Sequence, residues 1–340
     1  MKIHILFELK EGATGGGNQF LKAIRDYFTR ADIYTEIVSE ADIILYNSHQ
    51  FITELMEVKR KYPDKLFVHR IDGPIRLYSN MNDRRDFVIN NANKLIADAS
   101  IFQSNWSKKK GLSMGLVSNR FETTILNAPN PGFFNPKTPT KLEIDKKIKL
   151  IATSWSSNIK KGFEVYKWLD ENLDFDIYDM TFVGNSPVTF ENINYKKPMN
   201  SEDLSVELKN HDLFITASQN DPCSNSLIEA LHCGLPCIGL NEGGHTEIIS
   251  SGGELFDNKE DILILLEKIV SNYSVYQNNI DIPDIDVVGE KYSSFLEMIY
   301  LEKKYGNYQS KKFGIYDHIF LLASLSIWKL SEKFTSHRKN

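Results

Sequence analysis

Short apolar runs alternate with amphipathic helical stretches along almost the whole of this 340-residue chain, and that alternation admits few folds. A helix between two strands returns the chain in the same direction, so the pattern implies parallel sheets with crossover helices. In the first part, residues 3–9, 42–46, 65–71, 94–97 and 123–127 read as strands. Residues 18–28 read as a helix with Phe20, Leu21, Ile24 and Phe28 on one face. The run N-A-P-N-P-G-F-F-N-P-K-T-P-T then sets four prolines between Pro129 and Pro139, which marks a linker. Beyond it the pattern restarts, with strands at 148–153, 179–183, 213–217 and 237–240. Helices are expected at 162–172, at 201–210 with Ser201 as cap, and at 225–233, the last stopped by Gly234 and Pro236. The expected division is a domain over 1–130, a linker over 131–146, a second domain over 147–285 and helices over 286–340. The fold class is α/β, with two Rossmann-like, doubly wound parallel-sheet domains facing across a cleft at the carboxyl ends of their strands.

Composition narrows what such a chain can do. It is 41% hydrophobic and 25% charged, as in ordinary globular proteins, with a net charge of −5. Residues 1–130 carry 18 Lys+Arg against 15 Asp+Glu, so the excess of acid lies in the remainder. No basic stripe interleaved with aromatics is present, which argues against nucleic acid as a partner. The start M-K-I-H-I-L-F-E-L is charged too early for a signal peptide and reads as a first strand. Three cysteines between 223 and 237 supply no disulfide framework and fit a reducing cytoplasm. Residues 313–330 are broadly apolar, contain Asp317, His318 and Lys329, and are flanked by Lys311, Lys312, Lys333, Arg338 and Lys339. Eighteen residues with three titratable groups do not suit a membrane span. Two readings remain: a helix packing back across the two domains, or a peripheral helix on an acidic membrane surface.

Chemistry concentrates between Asp221 and Glu242. In D-P-C-S-N-S-L-I-E-A-L-H-C-G-L-P-C-I-G-L-N-E, Glu229 is the one formal charge inside an apolar helical run. A buried lone carboxylate costs several kcal/mol, so it needs a partner. That partner is either a neighbouring Lys or a ligand hydroxyl. Asp221, eight residues earlier, is either a helix cap or a second acid aimed at the same helix end. Two carboxylate oxygens match adjacent sugar or ribose hydroxyls, and the free N–H groups at Ser224 and Asn225 favour an anion. Hydroxyls for the acids and phosphate for the helix end together suit a nucleotide sugar.

This segment closely resembles the E-x7-E segment of retaining GT-B glycosyltransferases of the group 1, or family 4, class. The resemblance implies transfer of a sugar from a nucleotide-diphosphate donor to a hydroxyl of a glycan or lipid-linked acceptor, with retention, in cell-surface polysaccharide or glycoconjugate synthesis. It implies a cytoplasmic enzyme, at most touching the inner face of the membrane, with no metal or other cofactor. Carried over, Asp221 contacts the donor sugar's hydroxyls, assisted by amides around Cys223 and Ser224, and Glu229 holds the nucleotide ribose. Asp221 stands where the family more often has Glu. In T-S-W-S-S-N-I-K-K-G-F, Lys161 matches a phosphate-clamping Lys before a Gly, while the clamp's Arg position falls on Trp155 and leaves Lys160 as substitute. Gly16 and Gly17, in the triplet opening at Gly15, match a turn facing the donor phosphates, and Gly243 and Gly244 match a second such turn. Gly184 matches a strand-end glycine beside the base. In F-V-H-R-I-D-G-P, His69 matches a strand-end His near the sugar's reacting carbon or its 6-hydroxyl.

The remaining candidates read as structural. Asp174-Phe175-Asp176 imitates a metal-binding D-x-D but sits in a solvated turn, and Cys223, His232, Cys233 and Cys237 lack zinc-site spacing. Two rivals share the architecture: a nucleotide-sugar 2-epimerase, and a non-catalytic subunit that binds nucleotide or glycan.

Overall fold

A computed structural model describes the chain except residues 11, 13, 138–141, 143–145 and 337–340, with no side chains beyond 332. Much of the expected linker, and Arg338 and Lys339 of the basic flank, lie outside the described residues. Two units emerge. The first comprises Met1–Leu9, Ile24–Leu126 and Asp286–Asn340, and the second Lys10–Ala23 and Asn127–Ile285. The helix Gly16–Arg30 thus belongs to the second unit up to Ala23 and to the first from Ile24.

The first unit holds five parallel strands in the order β1 (Ile3–Leu6), β2 (Ile43–Asn47), β3 (Leu66–Ile71), β4 (Ala99–Phe102) and β5 (Phe121–Thr124). Tyr34 bridges Ile3 on the free side of β1, so the chain changes direction across the sheet between β1 and β2. β2 and β3 are buried along their whole length, so their apolar residues run consecutively rather than alternating, and the polar Asn47, His69 and Arg70 near their ends are buried with them. Their helices, Ile52–Lys61 and Arg85–Leu95, bury Ile52, Leu55, Met56, Val88 and Ala92 against Ile44, Tyr46 and Phe67. The strand expected at 94–97 is instead the end of Arg85–Leu95, and β4 follows only at Ala99. Ala92 and Ile96 join the core from the helix side, so an apolar run there does not signal a strand.

The second unit holds six parallel strands in the order β11 (Gly253–Phe256), β10 (Cys237–Leu240), β9 (Leu213–Thr216), β6 (Ile148–Ser154), β7 (Tyr178–Gly184) and β8 (Asn194–Lys196). The chain winds outward from β6 to β8, then returns to build β9 to β11 on the other side. This puts the reversal between β6 and β9. Those two strands pair only at Leu150↔Leu213 and Ile151↔Phe214, then part toward their carboxyl ends. A crevice opens there by topology alone. The core beneath it joins Leu150, Ala152, Phe163, Tyr166, Phe182 and Ile215. Ser201 is not the cap of its helix: Asn200 is, its side-chain oxygen accepting from the Asp203 N–H.

Candidate active site

The crevice of the second unit contains a cavity of about 290 Å³, close to the lower end of the roughly 300–1,000 Å³ typical of small-molecule sites. Three strand ends supply one wall: Thr153 and Ser154 of β6, Val183 and Gly184 of β7, and Thr216 of β9 with Ser218 beyond it. Gly184 has φ +138°, and a Cβ there would lie 1.9 Å from the Ser154 carbonyl oxygen. Only glycine lets β7 end so close to β6.

Lys161 arrives on a loop built for close approach. After β6 the Asn158 side chain accepts from the Lys160 N–H at 3.0 Å, and the Lys160 carbonyl accepts from the Gln219 N–H at 2.8 Å. Gly162, at φ +93°, then starts the helix Phe163–Asn172; a Cβ there would meet the Ala217 Cβ at 2.5 Å. The Lys161 ammonium reaches the Asp221 carboxylate at 2.8 Å. Asp221 also accepts from the Ser218 hydroxyl at 3.1 Å and the Cys223 N–H at 3.3 Å. Burial pushes its carboxyl up. Lys161 and, after it, His245 outweigh burial and hold it below the usual value.

Glu229 lacks such partners. It sits one turn into the helix Asn225–His232, whose Leu227, Ile228, Ala230 and Leu231 are buried, and its carboxyl borders the cavity. No hydrogen bond or ion pair to that carboxyl exists among the described residues, and burial alone pushes it up to about 8. The lysine partner that the sequence left open is not there. At the same helix start Ser224, Asn225 and Ser226 border the cavity. The beginning of the helix Gly16–Arg30 meets it, because a Cβ on Gly16 would lie 2.5 Å from the Asn225 amide nitrogen. Asn127 locks that amide by donating to its oxygen at 2.9 Å. Two helix starts therefore converge on one cavity with a lone carboxyl and an ion pair. The arrangement offers amide N–H groups and one ammonium to an anion, and carboxylates to hydroxyls.

Eight of the sequence candidates border this cavity: Gly16, Lys161, Gly184, Asp221, Cys223, Ser224, Asn225 and Glu229. The others do not. Gly243, at φ +70°, and Gly244 lie behind Asp221: a Cβ on Gly243 would sit 2.3 Å from the Asp221 carbonyl oxygen, which accepts from the Gly244 N–H at 2.8 Å. These glycines shape the loop that carries the acid. Gly17 has open space around it, and Lys160 is held by its backbone behind Lys161. His69, expected at a strand end beside substrate, is inside β3 of the first unit and 0% exposed. Its ring stacks on Tyr46, and its nitrogens meet Asn93 Oδ1 at 3.2 Å and the Ser48 carbonyl at 3.0 Å. Burial holds it near 4, so it stays neutral and has no free nitrogen for a ligand.

Sequence reasoning missed Thr14, Gln19, Tyr166, Pro198, Met199 and Leu204, all of which border the cavity. The Thr14 hydroxyl accepts from the Asn18 and Gln19 side-chain amides, contacts that match no capping pattern readable in the sequence. His245 was missed as well. It is fully buried near Asp221, with Nδ1 on the Leu240 carbonyl and Nε2 without a partner among the described residues. The half-exposed Trp155 stands where the resemblance calls for an Arg, and its indole lies against Gly15. The Asp174–Asp176 turn is exposed, Asp174 accepting from the Asp176 N–H, and no metal-ligating cluster occurs among the described residues.

Comparison with known proteins places these residues in context. Residues 190–281 match the family model described as glycosyl transferases group 1, a span that includes Asp221 and Glu229. A probable sucrose-phosphate synthase of Thermosipho melanesiensis is 26% identical over 140 residues, 39% of this chain. That match spans only 33% of the relative's length. Anabaena HepE, solved in complex with UDP-glucose, superposes with a TM-score of 0.68 at 14% identity over 87% of this chain and 99% of its own. The lipopolysaccharide outer core galactosyltransferase WaaB, in its apo form, gives 0.60 at 13% identity over 88% and 100%. At such identities the likeness establishes the fold. The chain has the GT-B fold of two parallel-sheet α/β units, and residues 190–281 of its second unit are similar to glycosyl transferases group 1.

Proposed function

We propose that this protein transfers a sugar from a nucleotide-diphosphate donor to a hydroxyl of a glycan or lipid-linked acceptor, with retention, in cell-surface glycoconjugate synthesis. The observation that carries the reading is the Glu229 carboxyl, which borders the cavity with no protein partner and awaits hydroxyls. In this reading Glu229 accepts from the ribose hydroxyls, and the amides at Ser224 and Asn225 receive the diphosphate. Lys161 exchanges Asp221 for a phosphate oxygen, which frees Asp221 to take sugar hydroxyls. The bond from the sugar's C1 to the diphosphate oxygen breaks and its electron pair leaves with the phosphate. The acceptor oxygen bonds to C1 on the same face, and its proton passes to the departing phosphate. Stabilising that developing charge with preplaced N–H groups and an ammonium is the largest catalytic contribution available here. His69 has no part in it; its contacts fasten β3 to the end of β2. The three buried free cysteines accord with a cytoplasmic setting.

A second reading, a domain that binds nucleotide without turnover, draws on the Lys161–Asp221 pair, which occupies both charges, and on Trp155 in place of Arg. Thermal shifts with UDP-, GDP- and ADP-sugars, followed by turnover with the best, decide between them. The transferase releases nucleoside diphosphate and yields a product with the donor's anomeric configuration in proton NMR. If Asp221→Ala and Glu229→Ala both turn over like wild type, the site assignment is wrong.

A further inference from the structure

The C-terminal helix Ile315–Ser336 is apolar on two opposite faces, and the protein covers only one of them. Its inner face docks on the helix Arg85–Leu95 of the first unit: Leu321 and Leu325 are buried with Val88 and Ala92, and Asn91 donates to the buried Ser324 hydroxyl at 2.9 Å. The outer face shows Ile315, Tyr316, Ile319, Ile327 and Leu330, each between 47% and 85% exposed. Phe320 continues it, edge-on to the exposed Phe87 of the neighbouring helix. From Ile315 to Leu330 the strip runs about 24 Å. Surface helices normally turn polar residues outward, so this strip needs an explanation.

Charge selects the occupant. Both acids among the described side chains of the helix have neighbours of their own, although Glu332 is exposed. Asp317 accepts from the Gly314 N–H at 2.8 Å, and Glu332 lies beside Arg85. Lys329 is exposed on the helix, Lys312 just before it, and Arg84 just before the helix on which it docks. Lys311, expected in the same basic flank, is instead tied to Asn119 and to the Asn93 and Lys94 carbonyls, which pins the start of the helix. A protein with a net charge of −5 thus presents one strip free of acid, aliphatic at its centre, aromatic toward one end and basic at its edges. No helix among the described residues is long and apolar enough to cross a membrane. We propose that this outer face is a docking surface for an anionic lipid bilayer, with the helix lying in the plane of the headgroups.

Vesicle sedimentation of the full chain tests the proposal, comparing pure phosphatidylcholine vesicles with vesicles containing phosphatidylglycerol. The protein is expected to sediment with the anionic vesicles. Ile319→Ser with Leu330→Ser should lower the partition coefficient at least about tenfold. Lys329→Ala should lower it about fivefold on anionic vesicles and leave it unchanged on neutral ones. Because these side chains lie outside the core, the melting temperature of each variant should match wild type, which separates lost docking from lost folding. Failure to sediment with either vesicle overturns the proposal. So does a concentration-dependent dimer, seen by light scattering without lipid, that the double variant abolishes.

Discussion

Replacing Glu229 by Gln should stabilise the empty protein at neutral and alkaline pH while weakening nucleotide binding. An unfolded Glu titrates at 4.5, and in the folded protein burial moves this carboxyl to about 8. Between those values the folded state keeps a proton that the unfolded state has lost. Stability therefore falls as pH rises through that window, and stops falling above it. At about 1.36 kcal/mol per unit, the full shift corresponds to roughly 5 kcal/mol. Glu229 opens onto the cavity, where water screens part of its charge, so about 1–3 kcal/mol is the realistic gain for Gln at pH 8 and above. The assay is denaturant unfolding of both proteins from pH 5 to 9, plotted as the difference between them so that the other groups cancel. The difference should be near zero at pH 5 and grow in favour of Gln toward pH 8. Affinity for a nucleoside diphosphate should move the other way, by at least about tenfold, because a charged acceptor to hydroxyls is lost. A difference curve flat across the whole range refutes the idea of a lone desolvated carboxyl at this position.

Three further perturbations test other parts of the account. Lys161→Ala should lower turnover about 10²- to 10³-fold, as expected for a group that stabilises the departing diphosphate, and should raise the apparent pKa of Asp221; a loss under about threefold would remove Lys161 from the chemistry. Gly184→Ala places a methyl group on the Ser154 carbonyl at a left-handed φ, and should lower the melting temperature by several degrees or prevent folding. An unchanged melting temperature would show that β7 does not end as described. His69→Ala should destabilise the first unit by about 2 kcal/mol or more through its two lost polar contacts and its stacking, yet leave nucleotide affinity unchanged. A specific loss of affinity without destabilisation would restore it to the site.

Parts of this molecule are legible in its sequence alone. The strand Cys237–Leu240 appears with the limits expected, because Gly234 and Pro236 punctuate the chain before it. Glu229 stands out in the sequence because a lone charge in an apolar helix contradicts its surroundings, and that contradiction is visible in one dimension. What the sequence conceals depends on contacts between distant loops. β8 is a short, exposed and polar edge strand, so no apolar run announces it. His69 was misplaced although β3 ends at Ile71 as expected, because the sequence does not show that Tyr46, Ser48 and Asn93 enclose the ring two residues before that end. The same blindness applies to Gly243 and Gly244. A glycine pair signals close approach but not what is approached, and here it is the backbone of Asp221 rather than a ligand. The Lys161–Asp221 pair joins residues sixty positions apart, and nothing local predicts it. The apolar tail was ambiguous for a related reason, since it carries two apolar faces and only packing tells which one is covered.

Calorimetric titration of wild type and Glu229→Gln with UDP at pH 7, in buffers of differing ionisation heat, tests the central claim most directly. If the empty, largely protonated Glu229 becomes a carboxylate on accepting ribose hydroxyls, the wild type should release more protons per ligand than the variant. It should also bind at least about tenfold more tightly. Equal affinity and equal proton release in the two proteins would contradict the claim.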